Sequence, residues 1–403
     1  MKSLASSART RAWSGKIQRG EETVIENERM IETFLDLVRI DSPSFEEREI
    51  AEWLMGKLKG LGGEVMMDDA GERARSNSGN VLACFPGTGR GRPILLSAHM
   101  DTVMPGQGIK PIREKDRIRS DGSTILGADD KSGLAIILEV LRVLKERKLP
   151  HPTIEVAFTI CEETGLIGAK QMDLERLSAQ DGLVLDSGPA NSLFTRGPAA
   201  DRLEFIVHGL AAHAGVCPEM GISAIRIAAE AISKMKLGRI DPETTANIGI
   251  LQGGTAVNIV PDRVIVKGEA RSHDEVKLEA QSAHMAQCFH EAAAANVIRS
   301  GDELIQARIE ANVSRDYNRM NLDEAAPIVK WVMAASNALG VKIECEKTGG
   351  GCDANVFNSH GRSIANLGTG MREIHTTHEY LLLNEFFQTA RVVLHALQLA
   401  AKE

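Results

Sequence analysis

The chain has 403 residues, of which 43% are apolar, 25% are charged and only 4% are aromatic. This composition is typical of a globular protein, and the length favours two domains. The net charge of -8 leaves no basic surplus for phosphates, which argues against a nucleic-acid binder, and no apolar run reaches the ~18–20 residues of a membrane span. The six cysteines stand singly, without a CxxC pair, which indicates reduced thiols and a cytoplasmic protein.

Residues 1–26 differ in character from the rest of the chain. The first twenty, MKSLASSARTRAWSGKIQRG, are basic, rich in serine and free of acids. They lack the continuous apolar segment of a secretory signal. We interpret residues 1–26 as a disordered extension, with a transit-type targeting peptide as the alternative.

From Asn27 onward, segments with helical periodicity alternate with apolar segments that are typical of buried strands. The segments RMIETFLDLVRI and DSPSFEEREIAEWLMGKLKGLG predict two helices. NVLACFPG and PILLSAHMD predict two strands, with GTGRGR between them as a hairpin turn. A long amphipathic helix, SGLAIILEVLRVLKERKL, precedes two further apolar strands in PTIEVAFTICEE and GLVLDSG. Apolar strands that alternate with helices predict an α/β fold, with a mostly parallel sheet and helices on both faces.

The pattern changes after the last of these strands. Four segments then alternate apolar and polar residues like half-exposed strands, and two helical segments lie among them. Their order is strand, helix, strand, strand, helix, strand, which is the order of a ferredoxin-like α+β domain. We therefore predict an inserted domain at residues 198–316, and one α/β domain formed by residues 27–197 and 317–403. Its last helices are expected near 323–339 and 384–400.

Five polar motifs cluster where the predicted apolar strands end, although GADDKSG opens the amphipathic helix and REIHTTHEY lies near the C-terminus. They are HMDTV (99–103), GADDKSG (127–133), CEETG (161–165), LDSG (185–188) and REIHTTHEY (372–380). In an open α/β sheet, functional groups gather beyond the carboxyl ends of the strands, so we expect these motifs to converge. Two histidines with three or four carboxylates form a ligand set for divalent metals, and the absence of cysteine disfavours a closed structural zinc site. The number of acids fits two metals about 3.5–4 Å apart, bridged by a carboxylate.

Each motif taken alone also has an ordinary structural explanation. A lone histidine at a strand end is usually part of the polar surface. An aspartate before a helix, such as Asp129 or Asp130, is most often an N-cap. Paired acids at the end of a strand are commonly solvated. Only the combination of all five motifs favours the metal site.

The motif order resembles that of a known enzyme family. HMDTV, GADDKSG, EETG, LDSG, AAHAG, GGTAVNIVPD and IHTTHEY occur as in the M20 family of di-zinc metallopeptidases, and the similarity runs from about residue 27 to the end. HAGVCPEMGISAI and TGGGCDANVFNSHG are most similar to its peptidase T branch, the tripeptide aminopeptidases and their relatives. The resemblance implies a zinc-peptidase catalytic domain at 27–197 and 317–403, and a dimerisation (lid) domain at 198–316.

The resemblance also implies which residues bind the metals. His99 and Asp186 would hold one ion, Glu163 and His375 would hold the other, and Asp129 would bridge the two. His378 is an alternative ligand by its position, but the motif alignment favours the histidine three residues earlier.

Two further residues of these motifs receive catalytic roles from the resemblance. Glu162 would be the general base, taking a proton from the metal-bound water and passing it to the leaving amine. Asp101 would orient the imidazole of His99, because residues two apart in an extended segment point the same way.

The resemblance assigns substrate contacts to other residues. In the family the smaller domain dimerises, and His213, at the AAHAG position, would reach the partner's active site and stabilise the oxyanion of the tetrahedral intermediate. Asn258 and Arg271 match substrate-binding positions, and the planar guanidinium of Arg271 suits a peptide C-terminal carboxylate. A surface salt bridge is the alternative for Arg271. Gly350 and Gly351 are expected to line the same pocket.

The sequence thus predicts a cytoplasmic, homodimeric exopeptidase that acts on short peptides and removes the N-terminal residue of tripeptides. It would use two divalent metal ions per chain, zinc being expected and cobalt or manganese being alternatives. An amidohydrolase of the same fold, acting on N-acyl or N-carbamoyl amino acids, is the second hypothesis, because fold does not settle substrate. A non-catalytic, metal-stabilised binding protein is the third, and the presence of Glu162 argues against it.

Overall fold

The computed structural model describes residues 25–300 and 302–403. The predicted extension, residues 1–26, lies outside these ranges except for its last two residues. Ile25 is buried in the core, and the backbone N–H of Glu26 donates to the carboxylate of Glu139 at 3.0 Å. Residues 25 and 26 therefore pack against the folded chain.

Helices form where the sequence repeats apolar residues at helical spacing. In the first helix, Met30, Ile31, Phe34, Leu37 and Val38 are buried on one face. The helices of the described residues are α1 Asn27–Val38, α2 Arg48–Leu61, α3 Ala70–Ala74, α4 Ala128–Arg147, α5 Ile167–Gln171, α6 Ala224–Lys234, α7 Glu275–Ala295, α8 Pro327–Leu339, α9 Asp353–Ser359 and α10 Leu383–Ala400. Within the described ranges, none of these helices has the length and apolarity needed to cross a lipid bilayer.

The strands form two large sheets and two small ones within the described residues. They are β1 Glu64–Met67, β2 Val81–Phe85, β3 Ile94–His99, β4 Ile112–Arg113, β5 Arg117–Arg119, β6 Ile154–Thr159, β7 Asp181–Val184, β8 Ser192–Gly197, β9 Ala199–His208, β10 Gly238–Arg239, β11 Thr244–Gly253, β12 Arg263–Ser272, β13 Val297–Ser300, β14 Glu303–Gln306, β15 Arg308–Tyr317, β16 Met320–Asn321, β17 Glu344–Lys347, β18 Ser363–Leu367, β19 Met371–Arg372 and β20 Tyr380–Leu382.

The larger sheet has the strand order β1-β2-β6-β3-β7-β18-β8-β16, with β17 beside β8. At its centre, β6, β3, β7 and β18 run parallel to one another. Toward the edges the strands pair antiparallel, apart from the parallel pair of β17 and β8. The predicted α/β class is confirmed, and the parallel part occupies the middle of a mixed sheet.

The GTGRGR loop does not form the predicted hairpin, so that prediction was wrong. β6 lies between β2 and β3, antiparallel to the first and parallel to the second. The loop packs instead against the segment before β6 and the end of α10: Gly89 N–H donates to the His151 carbonyl at 2.9 Å, and Arg90 N–H donates to the Ala401 carbonyl at 3.2 Å. Because β2 and β3 are apolar on both faces, their pattern does not reveal which strands are neighbours.

Helices cover both faces of the larger sheet. On β3, Ile94, Leu96 and Ala98 pack in a core shared with α1, α2, α4, α8 and α10, whereas Leu95 faces a core shared with α5 and α9. Successive residues of a strand point to opposite faces, so a strand covered on both faces is apolar throughout. This burial fixes the end of β3, where His99 stands.

The second sheet is antiparallel and has the order β10-β11-β12-β9-β15. β9, α6, β11, β12, α7 and β15 follow one another in the predicted ferredoxin-like order. Leu203, Phe205 and Val207 of β9 pack with α6 and α7 in a separate apolar core, and the alternate residues Arg202 and Glu204 face a cleft. We call β9, β11, β12 and β15 the lid sheet. The division of the chain into domains stays a prediction.

Candidate metal centre

The predicted ligand residues meet at one edge of the larger sheet. His99 ends β3, Glu163 follows β6 and Asp186 follows β7, and these three strands are parallel neighbours. Parallel strands present their carboxyl ends at the same edge, which brings together residues that are distant in sequence. Asp129 at the start of α4 and His375 between β19 and β20 complete the group.

The five residues form two clusters that share Asp129. In one, His99 Nε2 lies 3.0 Å from Asp129 Oδ1 and 3.9 Å from Asp186 Oδ1. In the other, His375 Nε2 lies 3.2 Å from Asp129 Oδ2 and 2.9 Å from Glu163 Oε1. Within each cluster the candidate ligand atoms all lie within 4.8 Å of one another. The two oxygens of Asp129 therefore face different clusters, as a bridging carboxylate must.

Acids outnumber bases at this edge, and most are buried. Burial raises the pKa of Glu162 and of Asp186 well above the usual values. Hydrogen bonds to Asp129 and Glu163 raise the pKa of His375 to about 10. The clusters hold imidazole nitrogens and carboxylate oxygens, a donor set that suits divalent cations, and a cation would neutralise the mutual repulsion of the acids. The residues present therefore fit a metal pair.

Asp101 positions more than the imidazole. Its Oδ1 accepts the N–H of Glu162 at 2.9 Å, and its Oδ2 accepts the N–H of Glu163 at 3.2 Å and the hydroxyl of Ser44 at 2.6 Å. The contact to His99 Nδ1 comes chiefly from the backbone carbonyl of Asp101, at 2.9 Å, while the carboxylate oxygen is 3.5 Å away. The carbonyl thus holds the ring most closely, and the carboxylate holds the backbone of Glu162 and Glu163.

Asp130, in the first turn of α4, binds the backbone of α4 and of His99 at the same time. Its Oδ1 accepts the N–H of Gly133 and its Oδ2 accepts the N–H of His99, both at 3.2 Å. A Cβ atom at Gly133 would lie 2.4 Å from the Leu185 carbonyl oxygen and 2.7 Å from Asp130 Oδ1. Glycine at this position therefore allows the start of α4 to approach the strand end that carries the next ligand.

Glu379 contacts the backbone of a candidate metal ligand, although no sequence motif singled it out. It is fully buried. Its Oε2 accepts the N–H groups of Leu126 and Gly127 at 2.7 Å each, and its Oε1 accepts the N–H of Asp129 at 3.0 Å. These bonds hold the turn that presents Asp129. In the sequence, Glu379 could be noticed only because it stands four residues after His375. Its neighbours do not distinguish it from an acid exposed to solvent.

A cleft of about 760 Å³ separates the ligand residues from the lid sheet. The predicted base Glu162 lines it, and so do Arg271 of β12, Gly350 and Gly351. Arg271 also donates to Glu269, with Nη2 at 2.9 Å from Oε2, so it forms the salt bridge considered as its alternative while facing the cleft. Arg271 and the two glycines therefore share the cleft with the candidate metal ligands.

His213 and Asn258 lie outside this cleft. Both are exposed and adjacent: Ala214 N–H donates to the Asn258 carbonyl at 2.9 Å, and His213 pairs with Ile259 in a β-bridge. The structure thus brings these two predicted residues to each other, but not to the metal ligands of their own chain. His378, the alternative ligand, is exposed and belongs to neither cluster.

Two clusters of candidate metal ligands that share a carboxylate, with a further buried acid and a cleft beside them, are typical of metal-dependent hydrolases. Comparison with known proteins identifies the family. The sequence profile of Peptidase family M20/M25/M40 matches residues 95–399. The chain belongs to this family, and it is a peptidase of the metal-dependent type.

Relatives of known sequence and structure agree with this assignment. The chain is 42% identical over 380 residues to Uncharacterized protein YqjE of Bacillus subtilis (strain 168), covering 94% of this chain and 100% of that one. It is similar in structure to aminopeptidase PepT from Bacillus cereus ATCC 10987, with 42% identity, a TM-score of 0.82 and coverage of 94% and 100%. A tripeptidase from Staphylococcus aureus subsp. aureus Mu50 has 37% identity, a TM-score of 0.87 and the same coverage. The resemblance to the peptidase T branch is therefore confirmed.

Proposed function

We propose that this protein is a two-metal exopeptidase that removes the N-terminal residue of tripeptides. The observation that carries the proposal is the pair of ligand clusters that share Asp129 beside the buried Glu162. An aminopeptidase and a tripeptidase, at 42% and 37% identity, support a short peptide as substrate. Zinc is the proposed metal, and cobalt or manganese would accept the same ligands.

Five residues would hold the metals. His99 and Asp186 would bind the first ion, Glu163 and His375 the second, and Asp129 both. When bound, such a pair of cations polarises the scissile carbonyl and lowers the pKa of a water molecule.

Glu162 is the proposed general base. Its side chain lines the cleft, is only 8% exposed and belongs to neither ligand cluster, so its carboxylate can exchange protons with water and substrate. Asp101 fixes its backbone N–H at 2.9 Å. Burial raises the pKa of Glu162, and a carboxyl group with a raised pKa is suited to taking up a proton and then passing it to the leaving amine.

Arg271, Gly350 and Gly351 are the proposed contacts to the substrate within the cleft. The positive charge of Arg271 suits the C-terminal carboxylate, whose distance from the scissile bond would then favour tripeptides over long chains. His213 and Asn258 are proposed to complete the cleft of a second copy in a homodimer. Their position together on an exposed surface, away from their own cleft, supports that role. A cytoplasmic location fits the six cysteines, all of which are unpaired.

The test is product analysis by mass spectrometry with the zinc-loaded protein. Substrates are a free tripeptide, its N-acetyl derivative, the corresponding dipeptide and an N-carbamoyl amino acid. We expect release of the N-terminal residue from the free tripeptide, and little or no cleavage of the N-acetyl form. Preferred hydrolysis of the N-carbamoyl amino acid would instead support the amidohydrolase hypothesis, and hydrolysis of none would overturn the proposal.

A further inference from the structure

Tyr317 is a buried polar residue of the cleft that has no part in the metal clusters. It is 8% exposed and lines the cleft, and its hydroxyl has no hydrogen-bond partner among the described residues. A buried hydroxyl without a partner is destabilising, and native proteins rarely leave one unpaired. A hydroxyl of this kind at a substrate cleft points to a partner on the ligand.

The register of the lid sheet places Tyr317 on the same face as Arg271. Arg271 of β12 pairs with Ala200 of β9 on one side, and Tyr317 of β15 pairs with Ala200 on the other. Directly opposite residues in antiparallel strands point the same way, and neighbouring strands are about 4.8 Å apart. The guanidinium and the phenol therefore stand on either side of Ala200, and both line the cleft. We call the part of the cleft between Arg271 and Tyr317 the gap.

Gly351 forms a third side of this gap. A Cβ atom at Gly351 would lie between 2.3 and 2.6 Å from the ring and hydroxyl atoms of Tyr317. Only glycine lets the backbone come this close to the phenol, so the hydroxyl stands beside the glycine loop that lines the cleft.

The donors around the gap suit a carboxylate. One edge of the Arg271 guanidinium is occupied, because Nε donates to Glu269 Oε1 at 3.0 Å and Nη2 donates to Oε2 at 2.9 Å. This pairing orients the guanidinium and leaves Nη1 for a ligand. Burial raises the pKa of Tyr317 to about 12, so the phenol keeps its proton at neutral pH and donates it. An anion in the gap would thus meet a charged donor on one side and a neutral donor on the other.

Resting on the proposed function, we infer that Tyr317 is a substrate-binding residue whose hydroxyl donates a hydrogen bond to the peptide C-terminal carboxylate bound by Arg271. The hydroxyl would therefore help to select substrates with a free carboxyl end. The chain's other tyrosine, Tyr380, offers a matched control, since it lies in β20 with its ring against Arg117.

The experiment compares Tyr317→Phe and Tyr380→Phe on a tripeptide and on the same tripeptide with a C-terminal amide. For the free acid, we expect the KM of Tyr317→Phe to rise about tenfold with kcat within about twofold of wild type. For the amide, both variants should match wild type within about twofold, as should Tyr380→Phe on the free acid. An unchanged KM for the free acid, or an equal loss on acid and amide, would overturn the inference.

Failure of the proposed function is distinguishable from failure of this inference. If wild type hydrolyses no peptide, the proposed function fails. Calorimetric titration of the tripeptide into each variant then tests whether Tyr317 contributes to peptide binding. A Kd about tenfold weaker for Tyr317→Phe than for Tyr380→Phe supports the inference, whereas equal Kd values or no binding overturn it. Thermal melting checks that both variants fold, and Tyr317→Phe should melt no lower than wild type, because it removes only an unpaired hydroxyl.

Discussion

The carboxylate of Glu379 accepts the backbone N–H of Asp129 at 3.0 Å, and Glu379 stands four residues after His375. Its own N–H donates to the Thr376 carbonyl at 3.2 Å, within the turn that carries this histidine. One buried acid therefore links the backbone of the proposed bridging ligand to the turn that carries His375. Residues of this kind set the geometry of a metal site without binding the metal.

Glu379→Gln should weaken metal binding, because its amide nitrogen would face a backbone N–H donor in place of an acceptor oxygen. We expect the affinity for zinc to fall about 10- to 100-fold, measured by competition with a chromophoric chelator. Glu373→Gln, at an exposed acid of the same loop, is the control and should keep the wild-type affinity. Equal affinities in the two variants would show that Glu379 does not position the ligands.

Asp101→Asn should reduce catalysis while the metals stay bound. The side-chain amide of asparagine has one acceptor oxygen in place of two, so the backbone N–H of either Glu162 or Glu163 loses its hydrogen bond. The contact between the backbone carbonyl of residue 101 and His99 remains. We expect kcat/KM for a tripeptide to fall about 10- to 100-fold, with metal content measured in parallel. Asp121→Asn, at an exposed acid, should be neutral. Full activity of Asp101→Asn would mean that these N–H bonds are not needed.

Gly133→Ala and Gly56→Ala should shift stability in opposite directions. The new methyl group at Gly133 would collide with the Leu185 carbonyl oxygen at 2.4 Å, and overpacking of this kind costs about 1–3 kcal/mol. Gly56 lies inside α2 with open space around it, so alanine there should stabilise the helix by about 0.5–1 kcal/mol. Urea unfolding of the metal-free variants measures both. A shift of the same sign in both would contradict the close approach at Gly133.

Metal binding should release protons. Hydrogen bonds to Asp129 and Glu163 raise the pKa of His375 to about 10, and burial raises the pKa of Asp186 well above its usual value. In the metal-free protein at neutral pH, this histidine is therefore protonated, whereas only neutral imidazole and ionised carboxylates bind metal. The apparent affinity should increase from about pH 6 to about pH 8. Titration calorimetry in buffers of different ionisation enthalpy counts the protons, and a pH-independent affinity would contradict the prediction.

The convergence of the proposed ligand residues was predictable from the sequence, whereas their individual roles came from the resemblance to the family. His99 and Asp186 come directly after apolar strands, and Asp129 opens an amphipathic helix. The convergence of such positions follows from the geometry of parallel strands. The supporting residues carry no such signal: Glu379 binds the backbone of Asp129 across 250 residues of sequence.

Strand neighbours were the harder part of the fold. An apolar strand buried on both faces pairs equally well with several others, so the pattern of β2 and β3 did not reveal that β6 lies between them. The relationship between Tyr317 and Arg271 has the same origin. It arises from the pairing of both strands with Ala200, and this register depends on tertiary packing rather than on either strand's own sequence.

Hydrolysis of a tripeptide by zinc-loaded Glu162→Gln, with metal content determined on the same sample, tests the central claim most directly. The substitution removes the proposed base but no proposed ligand. The predicted result is a kcat lower by about 10²- to 10⁴-fold, with the metal content of wild type retained. Turnover equal to that of wild type, at full metal content, would contradict the role of Glu162 and with it the proposed mechanism.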